Sequence, residues 1–215
     1  MVEPTQVKRA SEAAILAAGG GVNDFLPVIG LDELSLRPAV EVAHRALVLS
    51  ILVNLSFSAP PPVARQWLLT HGLLPALTAD EVEILNQEHP LDDEEKLRLR
   101  WNLESLWASA WVGGLTEDLA PTQPVGKALA SLFPSLRTNE SPDAFLAKFK
   151  LRTLEELYST LDLYYRAHWY ARDCQLRELD STPFNAGVVQ QRRHFLEWAT
   201  QAGVGWNEVD LLRLT

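Results

Sequence analysis

The sequence predicts an all-α protein, a single irregular or orthogonal bundle of about seven helices, on three observations. Apolar residues recur at helical spacing along most of the chain, while strand-like alternation bounded by hairpin turns is hard to find. Helix caps recur: Thr78 with Glu81 and Thr153 with Glu156 form capping boxes, and the acids Asp92–Glu95 precede an apolar run. Third, Arg100–Trp111 (RWNLESLWASAW) holds three of the seven tryptophans in one predicted helix, apolar around most of its circumference. Such a helix belongs at the centre of a core.

The first helix is predicted from about Thr5 to Ala18, with Val7, Ala14, Ile15 and Ala18 inward and Gly19–Gly21 as its stop. These glycines do not form a phosphate-binding loop, because no strand precedes them and no Gly-Lys-Ser/Thr follows. Asn23–Arg37 reads as an extended loop with Pro27 and Gly30 as breakers. Pro38 suits the first turn of a second helix reaching Phe57, with Val40, His44, Leu47, Val48, Ile51 and Leu55 buried. Pro60–Pro62 ends that helix and starts one running to Gly72; a short helix follows the Thr78 box to about Gln87. The tryptophan helix is predicted to run from about Leu97 to Gly113-Gly114, with Trp101, Glu104, Ala108 and Trp111 on one face.

Residues 113–141 are rich in Pro, Gly, Ser and Thr, with one short helix at Val125–Phe133 expected to pack on the surface. The expected organisation is one domain over 1–215 with this stretch as an excursion. Ser141-Pro142 opens another short helix. The longest helix runs from the Thr153 box to about Glu178, with Leu154, Leu157, Leu161, Tyr164 and His168 on one face and Asp162, Tyr165, Arg166, Trp169 and Asp173 on another. Asp180–Ala186 is a turn. A last long helix spans Gly187–Ala202, with Val188, Gln191, Phe195 and Trp198 inward and Arg192 beside them; Trp206 docks the C-terminus.

A net charge of −9 argues against nonspecific nucleic-acid binding, which requires a cationic surface. The single cysteine, Cys174, precludes an intramolecular disulfide framework and suits a reducing cytosol. The N-terminal stretch lacks a convincing signal sequence because Glu12 interrupts its short apolar part. The most apolar run, Ala46–Phe57, falls short of the roughly 20 residues of a membrane helix. A cytoplasmic protein without membrane association is expected.

Standard catalytic constellations are missing. The five histidines show no metal-binding spacing, a second cysteine is lacking, and there is no G-x-S-x-G elbow or nucleotide-binding fingerprint. Neither metal nor cofactor is expected. The candidate cluster is Trp101, Glu104, Asp162, Tyr165, Arg166, Trp169 and Arg192, all on helices expected in the core. Arginine keeps its charge when buried and forks onto carboxylates, so the cluster reads either as an ion-pair network fixing helix register or as an aromatic-walled pocket for an anionic ligand. His44 and His168, each on an apolar face, are secondary candidates. Asp92–Glu95 reads as helix capping rather than as a metal site.

Four stretches in order, KRASEAAIL, AVEVAHRALVL, WNLESLWASAW and YYRAHW with GVVQQRRHFLEW, resemble the bacterial family called domain of unknown function 4272, over about Lys8 to Val209. The resemblance marks Ser11, Arg45, Trp101, Glu104, Asp162, Tyr165, Arg166, Trp169, Arg192 and Trp206 among the family-type positions, with departures at Asn102, Glu197 and Asn207. It implies an architecture and no activity. Three function classes stay open: a non-enzymatic helical interaction protein with a protein partner, which is favoured; a small-molecule binder or enzyme using the cluster, with Glu104 as a base; and a toxin-neutralising protein.

Overall fold

The computed structural model describes residues 2–179 and 182–212, and the first two residues of the expected Asp180–Ala186 turn lie outside them. Among the described residues there is no strand, and one isolated parallel bridge joins Ser35 to Gln201. The helices are α1 Pro4–Ala17, α2 Ala39–Ser56, α3 Pro61–Thr70, α4 Ala79–Leu85, α5 Asp93–Arg100, α6 Asn102–Val112, α7 Leu129–Leu132, α8 Asp143–Lys148, α9 Leu154–Leu176 and α10 Ala186–Ala199. The chain falls into two compact units: Met1–Arg37 with Leu119–Pro124 and Arg152–Thr215, and Pro38–Asp118 with Val125–Leu151.

In the first unit α9 packs against both α1 and α10. The Thr153 box forms as expected, Thr153 Oγ1 accepting from the Glu156 amide and Glu156 from the Thr153 amide. The inward side of α1 differs from the prediction. Ser11 and Ile15 are buried and Glu12 is half-buried, whereas Ala14 and Ala18 are exposed. The helix turns this side toward α9, where Arg166 offers Glu12 a charged partner. On α9 itself, Leu154 sits in the first turn and remains 41% exposed.

The C-terminal end of α10 also differs. The helix stops at Ala199 rather than Ala202, because the bridge takes its carbonyl groups: the Ser35 amide donates to Thr200 O and the Arg37 amide to Ala199 O. The Arg37 guanidinium donates to the carbonyls of Trp198, Gln201 and Val204 and lies over the Trp198 ring. Asn185 caps the helix, and Val189, rather than Val188 or Gln191, is fully buried in its first turns, while Phe195 and Trp198 are buried farther along. Trp206 stacks against His194, Phe195 and Trp198, docking the C-terminal segment.

The second unit is built on α2, which touches α3, α5 and α6. By length and composition α2 could cross a membrane; 72% of it is buried inside the structure. Val40 is exposed and His44, four residues on along the same side, is half-buried, while Val42 and Ala43 in the same stretch are the residues buried. The expected tryptophan helix is two helices, α5 and α6, with the break at Trp101. Asn102 reinforces the break by donating its side-chain amide to the Leu99 carbonyl. Trp107 and Trp111 are buried, but Trp101 is 45% exposed and Glu104 only half-buried. The prediction that both lie in the core is therefore corrected.

Residues 113–141 are also less superficial than expected. Leu129, Phe133 and Leu136 are buried. Phe133, Phe145 and Phe149 stack in series, giving this stretch a small apolar centre.

Candidate functional site

The polar residues of α9 and α10 converge within the first unit. Asp162 is fully buried and accepts two hydrogen bonds from Arg166, from Nε at 2.9 Å and Nη2 at 2.8 Å. Arg166 Nη2 also donates to Pro27 O, so the pair ties the 23–37 loop to α9. Its Nη1 lies 3.6 Å from Glu12 Oε1, close enough for an ion pair but too far for a hydrogen bond. Trp169 lines this small junction with Glu12 and Leu26.

One residue along α10 from the predicted Arg192, a second arginine forms the other half of the cluster. Arg193 is 1% exposed and donates to Glu197 Oε1 through Nε at 3.0 Å and Nη2 at 2.9 Å. Its Nη1 donates to His168 Nδ1 at 3.0 Å. Because a guanidinium can only donate, Nδ1 is the acceptor and the imidazole proton sits on Nε2. Burial pushes the His168 pKa down to about 4, and the neighbouring Arg193 and Arg172 charges add to the fall. His168 is thus a neutral core group.

Tyr165 lies between the two ion pairs, with the Arg193 and Arg166 guanidinium carbons 5.0 and 5.6 Å from its ring centre. The residue is 4% exposed, and its hydroxyl makes no hydrogen bond. Burial raises its pKa, partly offset by the two arginines, so it stays a neutral phenol able to donate. Tyr165, Arg193 and Glu197 line a cleft of about 520 Å³, within the range of about 300–1,000 Å³ typical of ligand sites. Pro27, Val28, Ile29 and Leu161 give it apolar walls, and Glu33 and Asp210 add carboxylates. The Ser35–Gln201 bridge holds together two of the segments that form it.

The structure gathers only part of the predicted cluster. Asp162, Tyr165, Arg166 and Trp169 are neighbours on α9. Arg192 is fully buried and donates to the carbonyls of Ala120 and Gln123 and to the Tyr164 hydroxyl, which fastens the Leu119–Pro124 segment to α10. Trp101 and Glu104 belong to the second unit, as does half-buried His44.

Sequence reasoning missed Arg193 and Glu197, although their i,i+4 spacing was available. Arg45, which the resemblance marks as a family-type position, forks onto Glu81 in the second unit at 2.8 and 2.6 Å, a pair that local spacing does not reveal. Glu81 is there because of the Thr78 capping box, and its buried position adds an ion pair to a capping role. Among the described residues no group of three or more His, Cys, Asp or Glu side chains is placed to hold a metal ion.

Comparison with curated proteins and with solved structures finds no match. A family model does match, over residues 7–209, and its description is "Domain of unknown function (DUF4272)". The match takes in all of the ordered motifs, and the chain belongs to this family.

Proposed function

We propose that this protein binds a small uncharged or cationic molecule in the cleft beside Tyr165, with the phenol as its anchoring hydrogen-bond donor. The observation carrying the reading is that Tyr165 lines the cleft and its hydroxyl, just beneath the surface, is buried without a partner, so that a small shift of the ring would offer it to a ligand. A buried hydroxyl left unpaired costs about 1–3 kcal/mol, a cost that a ligand acceptor would remove. The anionic-ligand reading loses its motive here. Arg166 and Arg193 direct their forks at Asp162 and Glu197, so neither brings an uncompensated positive charge to the cleft. Asp210 adds a carboxylate to its wall. The buried single cysteine, Cys174, supports a reducing cytosol as the compartment.

Thermal-shift screening of uncharged, cationic and anionic metabolites against the wild type and Tyr165→Phe tests this. The expected result is stabilisation by an uncharged or cationic compound that the variant loses, with the variant itself as stable as the wild type. Stabilisation by anions alone, or an equal shift in Tyr165→Phe, would overturn the reading.

A further inference from the structure

The helix that leads into Trp101, α5, presents a bare face. On α5 and its cap, Leu97 is 61% exposed and Trp101 45% exposed, and the neighbouring Phe57 is 62% exposed. Leu97 and Trp101 are four residues apart and share one side of the helix. Arg100 covers part of the Phe57 ring, 5.1 Å from its centre, and donates to Ser56 O, which joins the end of α2 to this surface. The charges around the apolar residues are segregated. Asp93 and Glu94 lie at the N-terminal end and Arg98 and Arg100 at the C-terminal end, all exposed. The Asp93 side chain is fully exposed even though Lys96 approaches it at 3.8 Å.

We propose that this face docks a second copy of the chain, with the two α5 helices antiparallel. A twofold axis near Leu97 brings the two Leu97 side chains together. It then sets Asp93 beside Arg100 of the second copy on one flank and Glu94 beside Arg98 of the second copy on the other. Both flanks match because acids and bases occupy opposite ends of one helix. A parallel arrangement would set like charges against each other. The same patch serves both subunits, as a twofold interface requires. Its area rests on one short helix and three large side chains, well below the roughly 800 Å² per partner of a standard interface, so the dimer is weak and reversible. This association is independent of the cleft.

Sedimentation velocity over a concentration series tests it. The wild type should shift from monomer toward dimer with rising concentration, and the shift should shrink at high salt as the charge pairs are screened. Leu97→Asp should abolish dimerisation. The doubly acidic variant R98E/R100E and the doubly basic variant D93K/E94K should each be monomeric, and an equimolar mixture should regain the dimer. Circular dichroism verifies the fold, and R98E alone replaces the double variant if losing the Arg100–Phe57 contact unfolds it. A wild type that remains monomeric, a dimer that survives Leu97→Asp, or a mixture of folded variants that stays monomeric would overturn the proposal.

Discussion

Arg193 donates to His168 Nδ1 at 3.0 Å, placing a permanent positive charge against an imidazole that the core already holds neutral. Protonating His168 in the native state would leave the two groups as like charges in contact. An imidazole released on unfolding titrates near its ordinary value of 6.5, against about 4 in the folded protein. The native state therefore binds fewer protons than the unfolded state as pH falls below that value. The contribution of neutral His168 is fully present above about pH 6.5 and is lost progressively toward pH 4, amounting to about 3 kcal/mol. Urea unfolding at pH 7 and pH 4.5 should show this loss in the wild type and a smaller one in His168→Gln. An equal pH response in the variant would show that other groups drive the acid sensitivity.

Arg45 and Glu81 form a bidentate pair buried in the second unit, and Glu81 Oε2 also accepts from the Thr78 amide at 2.9 Å. Removing one member strands the other charge, so Arg45→Met should cost about 3–5 kcal/mol. Thr78→Ala removes only the bond that Thr78 Oγ1 accepts from the Glu81 amide and should cost about 1 kcal/mol. Equal denaturation midpoints for these two variants would refute the ion pair's structural role.

Asp162→Asn and Tyr165→Phe should behave oppositely although the residues are close on α9. Asp162 is fully buried and accepts two bonds from Arg166, so its neutralisation should cost about 3–5 kcal/mol. Tyr165→Phe removes a hydroxyl that makes no hydrogen bond and should be neutral or stabilising by up to about 1 kcal/mol. Chemical denaturation of both variants checks the contrast. A large loss in Tyr165→Phe would mean that the hydroxyl has a partner in solution.

Two glycines in the second unit should respond to alanine for different reasons. A Cβ on Gly126 would stand 2.5 Å from the ring of buried Trp107, so Gly126→Ala should cost about 1–3 kcal/mol and alter tryptophan fluorescence. Gly72 has φ +69° with no atom near a new Cβ, so Gly72→Ala should cost about 1 kcal/mol of backbone strain and leave the spectrum unchanged. Matching fluorescence changes would contradict this division.

Local signals carried the all-α prediction. Capping boxes at Thr78 and Thr153, acids at Asp92 and stops at Gly19, Gly72 and Gly114 are formed by neighbouring residues, so each is visible in a few letters of sequence. The errors concern which side of a helix faces inward. Ala14 and Trp101 are apolar yet exposed, while Glu12 and Glu81 turn toward arginines more than 30 residues away in sequence. Hydropathy identifies an apolar face but does not show when a charged side chain is better placed inside because a guanidinium awaits it.

The candidate cluster shows the same limit. Asp162, Tyr165, Arg166 and Trp169 group in the sequence because i,i+3 and i,i+4 spacings over two helix turns put them on one side. Glu104 and Trp101 join that group only if one continuous helix carries both into a common core, and the break before Asn102 rules that out. By itself, the sequence determined helix positions, caps, stops and the i,i+4 pairs, all of which depend on separations of a few residues. Only the tertiary structure decided that Arg193 reaches His168, that Ser35 ends α10, and that Tyr165 lines a cleft with its hydroxyl buried and unpaired. Those relationships join segments distant along the chain and depend on how the helices pack.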